Sequence, residues 1–221
     1  MKTKLLSSIL VLLILAPFST IQSQEKGRTS FGILAGVNFQ NINGKDILDN
    51  KLENGLLFGY HGGLNVQIPI APDFYLQPGL LYSLKGADVN PDGDAVKHKL
   101  SYLELPINFL YKGQLGSGFI LLGFGPYVGY AAAGNVVDAD GDKTKIEFKN
   151  EVTPNGVTTV YYKHFDAGGN IFFGYELQAG LFFQLNAQLG LIKINPDYAV
   201  VSDDNLTWKN TGFGLSVGYR F

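Results

Sequence analysis

Residues 211–221, at the carboxyl end of the chain, read TGFGLSVGYRF and alternate between apolar and small or polar side chains. Because successive side chains of a β-strand point to opposite faces, this period of two predicts a strand. An unbroken apolar face with aromatic residues near its ends, opposite a small or polar face, is typical of a transmembrane β-barrel strand. The residues of the apolar face are Phe213, Leu215, Val217, Tyr219 and Phe221.

The amino end of the chain predicts export from the cytoplasm. Residues 1–4 contain two lysines, residues 5–18 form an uncharged apolar run, and residues 19–23 are mostly small and polar. This order is typical of a secretory signal peptide, so we predict cleavage after Ser23 and a mature domain of residues 24–221. The alternative is an uncleaved anchor helix, for which the apolar run is marginally long. The chain contains no cysteine, which excludes a lipoprotein anchor and a disulfide framework.

Composition limits the remaining classes of protein. Glycine occurs 28 times, aromatic residues make up 13% of the chain, charged residues only 16%, and the net charge is −2. No second apolar segment is long enough for a membrane helix, which argues against a helical bundle. The near-neutral charge and the lack of a basic block argue against a nucleic-acid partner. A soluble β-sandwich and a membrane barrel both remain compatible with these values.

The alternation predicts eight strands with one uncharged apolar face each. A soluble sandwich would alternate in the same way, but with more charge on its polar face. Here the polar faces carry mostly amides, glycines and aromatic hydroxyls, which favours the lumen of a narrow barrel. A lysine or arginine on the lipid face costs about 2–4 kcal/mol at the bilayer midplane, so uncharged outer faces are required there. The predicted strands are residues 31–40, 57–69, 73–86, 98–111, 118–131, 165–178, 181–193 and 209–221.

Loop lengths support an eight-stranded antiparallel transmembrane β-barrel. Bacterial barrels have short periplasmic turns and longer extracellular loops. The predicted connections alternate in this way, and an even number of strands places both termini in the periplasm. The predicted outer loops are residues 41–56, 87–97, 132–164 and 194–208, and the inner turns are residues 70–72, 112–117 and 179–180.

Three prolines within the predicted strands interrupt the backbone hydrogen bonding. Pro78, Pro106 and Pro126 each remove one hydrogen-bond donor from the ladder. A closed barrel has no edge strand on which to place them. We therefore expect a β-bulge near each of the three.

The prolines lie in the segments YLQPGLLYSLKG at residues 75–86, YLELPI at 102–107 and GFGPYVG at 123–129, and FDAG at 165–168 and GYE at 174–176 follow them. Together these segments resemble successive motifs of the PorT-like outer-membrane β-barrel family. The resemblance covers nearly all of the mature chain and implies a barrel in the outer membrane of a Bacteroidetes-type bacterium. Most members have no assigned activity, and the secretion role of the namesake does not transfer on fold alone. The last strand, which ends on Phe221, also resembles the recognition strand of outer-membrane barrels and implies that the barrel-assembly machinery is a partner.

The polar faces place four charged side chains in the predicted lumen, namely Lys85, Glu104, Glu176 and Arg220. Eight strands enclose an interior that side chains fill, or at most one small ligand. Since a buried charge needs a partner, we predict that Glu176 pairs with Arg220 near the inner end of the barrel. A structural polar network is the favoured interpretation, and a path for protons or a ligand is the alternative.

No cofactor or metal is expected from the sequence. His61, His98 and His164 are all expected to point into the lumen, but they lie on separated strands at different depths, unlike the ligands of a zinc site. The acidic segment 138–142 resembles the start of a calcium loop, but it has lysine where that loop needs Gly and Glu. A lipid-modifying enzyme would need a histidine and a serine on one face. His98 and Ser101 are three residues apart and therefore point to opposite faces.

The sequence thus predicts a non-enzymatic integral protein of the outer membrane, in contact with its lipid. Its role would be structural, or that of an interaction platform that presents the long loop 132–164 to protein partners. An accessory role in type IX-like protein secretion is the alternative.

Overall fold

The structure is a computed structural model. It describes residues 28–89, 92–94, 96–153, 159–198 and 206–221. The predicted signal peptide, residues 1–23, lies outside these residues, as do the acidic residues 203–204 of the last outer loop. None of the described residues belongs to a helix that is both long enough and apolar enough to cross a membrane.

Eight long strands within the described residues close into an antiparallel barrel, as the sequence predicts. Each strand pairs with its neighbours along the chain, and the last strand pairs with the first. Both termini of the barrel therefore lie at the end that carries the short turns. The strands are β1 (Ser30–Lys45), β2 (Leu57–Ala71), β3 (Phe74–Asp88), β4 (Lys97–Leu115), β5 (Gly118–Val137), β6 (Phe165–Leu177), β7 (Leu181–Gly190) and β8 (Thr207–Arg220).

The two faces of the wall have the predicted composition. The apolar residues of the opening segment point outward, and Phe213 and Leu215 on β8 are 52% and 53% exposed. The opposite face is buried in the lumen, where a narrow barrel leaves little room next to the backbone. A Cβ on Gly36 of β1, for example, would collide with the carbonyl oxygen of Leu215 and with the His61 ring. Apolar side chains that are half exposed over a whole wall require lipid rather than water around them.

Several strands end at other residues than the sequence predicts. β5 continues to Val137 rather than residue 131, and its extension pairs with the short segment Lys143–Lys145. Pairing through the backbone does not need an apolar face, so a strand can continue above the membrane. In contrast, β7 ends at Gly190 rather than residue 193. Beyond it, the N–H groups of Leu191 and Ile192 both donate to the carbonyl of Ala167, which ends the regular ladder.

The expectation of bulges at Pro78, Pro106 and Pro126 is wrong. The register of β3 against β4 is the same on both sides of Pro78, and the register of β4 against β5 is the same around Pro106. Pro126 pairs in register with Gly169 of β6. A missing donor removes one hydrogen bond without requiring an extra residue, so these strands continue past the prolines. Register shifts occur instead between Pro69 and Ala71 and beside Ser101.

The outer loops fold over the extracellular mouth of the barrel. Ile146, Tyr162 and Ile194, which belong to the two longest connections, are buried in one apolar cluster with residues of the strand ends, such as Ile42 and Leu100. The third loop also makes two short parallel pairings, one within itself and one with the last outer loop. We call this layer the outer cap, composed of residues 46–56, 138–153, 159–164 and 191–198.

Candidate functional site

The outer half of the lumen contains a fully buried ion cluster around Lys85 of β3. Its ammonium nitrogen lies 2.5 Å from Oε1 of Glu104 on β4 and 3.1 Å from Oδ2 of Asp166 on β6. The ring of Tyr127 lies beneath the ammonium, with its centroid 4.3 Å away. All three charged side chains are at most 1% exposed. One cation thus joins three strands across the interior.

Neutral donors add hydrogen bonds to one oxygen of each carboxylate. Asp166 Oδ2 accepts hydrogen bonds from the Tyr127 hydroxyl at 3.1 Å and from Asn210 Nδ2 at 2.9 Å. Glu104 Oε2 accepts a hydrogen bond from Gln188 Nε2 at 3.2 Å. Burial of charge is tolerable only when the ions are paired and hydrogen-bonded. This cluster meets that condition through residues of β3, β4, β5, β6, β7 and β8.

A second ion cluster lies at the inner end and contains the pair predicted from the sequence. Nε of Arg220 on β8 lies 3.8 Å from Oε2 of Glu176 on β6. The closer partner of Glu176 is Lys112 of β4, whose ammonium lies 2.6 Å from Oε1. Arg220 also donates a hydrogen bond to Oδ1 of Asn65 on β2 at 2.5 Å. The inner end of the lumen is therefore crossed by three charges rather than by two.

An apolar layer lies beside the inner cluster, and the sequence analysis did not predict it. Leu110, Leu121, Phe172 and Phe182 form a buried cluster inside the barrel. The rings of Phe172 and Phe182 lie over Gly123 and Gly218, where a Cβ would collide with them. Small residues on one strand thus accept large rings from the next strand, which fills the cross-section without widening the barrel.

Between these layers the lumen holds a polar chamber of about 70 Å³. His61 Nε2 lies 2.8 Å from the Ser216 hydroxyl, which also accepts a hydrogen bond from Asn186 Nδ2 at 2.9 Å. Asn38 Nδ2 donates to the Ser83 hydroxyl at 3.2 Å. One ordered water molecule needs about 10–15 Å³ of cavity volume. The chamber therefore has room for a few waters but not for an organic substrate.

The three histidines are separated by the fold. His98 Nδ1 lies 2.7 Å from the hydroxyl of Tyr162 in the outer cap, and burial raises the pKa of that phenol, which therefore stays protonated. His164 Nδ1 lies 2.8 Å from the carbonyl oxygen of Ala131. No group of three or more His, Asp or Glu side chains in the described part of the chain is placed to hold a metal ion. Asp138 instead accepts a hydrogen bond from the N–H of Asp142 within its turn.

The pair considered for lipid chemistry is divided by the wall. His98 points into the barrel mouth, whereas Ser101 points outward and accepts a hydrogen bond from the Tyr82 hydroxyl at 2.8 Å. The two side chains cannot act on one substrate atom from opposite faces of a sheet.

The sequence analysis missed three residues of the ion clusters. Asp166 lies in a predicted strand, ten residues before Glu176, so its even spacing already placed it on the lumen face. Tyr127 likewise lies at one of the alternate positions of β5 that face the lumen. Lys112 was assigned to an inner turn because its strand was predicted to end at residue 111, four residues before its end at Leu115. Asp166 and Tyr127 would have been identified if every second residue of each predicted strand had been assigned to the lumen.

A closed wall that is apolar outside, with polar groups and ion pairs inside, defines an integral β-barrel membrane protein. The chain belongs to the family described as outer membrane protein beta-barrel domain, whose model matches residues 22–195. The protein is accordingly an outer-membrane barrel. No curated protein matches the chain.

Solved structures with a similar chain path include two of the attachment invasion locus protein Ail of Yersinia pestis. One of these was solved in complex with the heparin analogue sucrose octasulfate; it is 10% identical to this chain, covers 88% of it and 100% of Ail, and has a TM-score of 0.42. The other is also 10% identical, covers 89% of this chain and 100% of Ail, and has a TM-score of 0.41.

Proposed function

We propose that this protein is a non-enzymatic outer-membrane barrel of the PorT-like type, which acts as an interaction platform through its outer cap. The observation that carries the proposal is the contrast between lumen and cap. The lumen charges are engaged with each other in two clusters, whose charged members lie on β3, β4, β6 and β8. The cap, in contrast, is folded over an apolar core and holds exposed charged residues such as Lys145 and Glu151 toward the outside.

The ion clusters have a structural role in this proposal. Lys85, Glu104, Glu176 and Arg220, with Asp166 and Lys112, hold the strands in register and seal the lumen at two depths. The chamber between the clusters is too small for a substrate. This arrangement supports a solid scaffold rather than a diffusion pore or a catalytic pocket.

Site-specific photo-crosslinking in intact cells tests the platform role. A photo-reactive amino acid at position 145 or 151 of the cap is expected to give discrete protein adducts. The matched control is position 117, in the inner turn after β4, which faces the periplasm. Identical adducts at all three positions, or none at the cap, would contradict the proposal.

An accessory role in type IX-like secretion is the second candidate, supported by the motifs at residues 75–86, 102–107 and 123–129. Affinity purification of the tagged protein from its native outer membrane tests it. Secretion components should copurify, and deletion of the gene should reduce the amount of cargo in the culture medium. Recovery of the barrel by itself, with unchanged secretion, would rule this role out and leave the platform proposal standing.

A further inference from the structure

The outer rim of the barrel carries a groove on its lipid-facing side. After β1 the chain turns back at residues 46–50, so that Lys45 and Lys51 form an antiparallel bridge. The groove lies between this turn and the outer ends of β7 and β8, and it has a volume of about 610 Å³. This volume is within the range of about 300–1,000 Å³ that is typical of sites for organic ligands.

The lining of the groove is positively charged. It contains the lysines Lys45, Lys51 and Lys209 and a single carboxylate, Asp49. The ammonium of Lys45 lies 2.7 Å from Oδ1 of Asp49, so one of the three positive charges is compensated within the protein. The remaining net charge of the described lining favours an anion.

The groove faces outward, because its lysines lie on the lipid-facing side of their strands. Lys45 is an even number of residues from Phe39 on β1, and Lys209 is an even number of residues from Phe213 on β8. Both phenylalanines face lipid. Their rings stack with centroids 5.4 Å apart. Lys209 lies four residues above Phe213, which is about 10 Å of height for a strand tilted by about 40°. Lysines extend their charged ends toward such a boundary while their stems cover apolar surface.

The groove also offers apolar contacts. Leu189 of β7 forms part of its lining and is 57% exposed. At the tip of the turn beside it, Ile47 and Leu48 are 59% and 74% exposed. The turn is held by Asp46, whose carboxylate accepts hydrogen bonds from the N–H groups of Leu48 and Asn50. A cationic groove with an apolar floor and a fixed apolar tip matches an amphipathic molecule at a membrane surface.

We propose that this groove binds the phosphorylated headgroup of an outer-leaflet lipid, with Lys45, Lys51 and Lys209 contacting phosphate and Leu189 contacting the first carbons of the acyl chains. A lipid is the occupant because the groove opens sideways, just above the apolar band, where lipid headgroups surround the barrel. The proposal goes beyond the platform role, since it concerns the side of the rim rather than the top of the cap.

Lipid titration of the purified full-length barrel in a neutral detergent, followed by native mass spectrometry, tests the proposal. The probe is a phosphorylated lipid A, compared with the same lipid after removal of its phosphates. A variant with Lys45→Gln, Lys51→Gln and Lys209→Gln should bind the phosphorylated lipid about 100-fold more weakly, at about fivefold per lysine near an anionic surface. The charge-matched control carries Lys143→Gln, Lys145→Gln and Lys149→Gln, which change exposed cap lysines outside the groove, and should bind like the unmodified protein.

Two further arms separate a lipid site from a general anion site. Leu189→Ser should weaken the binding of lipid A while leaving any binding of inorganic phosphate unchanged. Millimolar inorganic phosphate should displace the lipid only weakly. Equal losses in the groove and control variants, equal binding of the dephosphorylated lipid, or full displacement by inorganic phosphate would overturn the proposal. Retained heat-modifiable migration of every variant on gels would show that the barrel is intact.

Discussion

Replacement of Lys85 by methionine is the most direct test of the outer ion cluster. Methionine has a similar length but no charge, so Lys85→Met leaves the carboxylates of Glu104 and Asp166 buried without their cation. Both carboxylates lie within 3.1 Å of the same ammonium in the native barrel. The variant therefore places two like charges close together in the buried interior, away from bulk solvent.

The expected loss in the free energy of unfolding is about 3–5 kcal/mol, which is the usual cost of removing one partner from a buried ion pair. Because both carboxylates contact one ammonium, their nearest oxygens are less than about 6 Å apart, and two unit charges at that distance repel each other by about 3 kcal/mol at an effective dielectric constant of about 20. Protonation of one carboxylate relieves part of this repulsion. The remaining hydrogen bonds, from Tyr127, Asn210 and Gln188, are directed at the charged forms and do not replace the ammonium.

Urea-induced unfolding in lipid vesicles, followed by the fluorescence of Trp208, measures the loss. Trp208 is the single tryptophan of the chain. The matched control is Lys143→Met on the exposed cap, with an expected change below about 0.5 kcal/mol. A variant that combines Lys85→Met with Glu104→Gln and Asp166→Asn should recover most of the stability, because a neutral cluster leaves no unpaired charge. A loss below 1 kcal/mol for Lys85→Met, or a combined variant as unstable as the single one, would refute the reasoning.

Three other substitutions test further contacts. Lys112→Met should lower the free energy of unfolding by more than Arg220→Met, because its ammonium lies 2.6 Å from the shared carboxylate against 3.8 Å for the guanidinium; the reverse order in urea unfolding would contradict this. Gly36→Ala should destabilise the barrel in the same assay, since its Cβ would meet a carbonyl oxygen, whereas Gly169→Ala has open space and should be neutral. Tyr162→Phe removes a buried hydrogen bond, worth about 1 kcal/mol, and should speed limited proteolysis of the cap without changing the heat-modifiable migration of the barrel.

The wall of the barrel was predictable because lipid imposes a simple rule on it. Each outward side chain must be apolar and each strand must pair on both sides, so the alternation in segments such as residues 211–221 suffices to assign the fold. The strand ends were less predictable, since backbone pairing continues above the membrane where the rule no longer applies. β5 shows this, because its last six residues, AAGNVV, do not alternate between apolar and polar side chains, and the strand still pairs there.

The sequence predicts which side chains point into the lumen, but not which of them contact each other. Parity identifies which side chains point inward, and Lys85 and Glu104 are both buried in the lumen. Which inward charges meet depends on the tilt and stagger of the strands, which bring residues of distant sequence positions to the same depth. Lys112 and Arg220 both reach Glu176 only because β4 and β8 cross that depth on either side of the barrel. A pattern along one strand holds no information on this stagger.

The distribution of charge explains how so narrow a barrel can carry polar groups inside. A charge on the outer wall would face lipid, and an unpaired charge in the lumen would lose its hydration without compensation. Both clusters avoid these costs because they pair cations with carboxylates from different strands. Lys85 pairs with two carboxylates near the outer end, and Glu176 with two cations near the inner end. The surplus charge of one cluster is opposite to that of the other, and the two together are neutral. In the described part of the chain, the charged residues outside the two clusters lie in the outer loops, at the rim and at the inner end of the barrel.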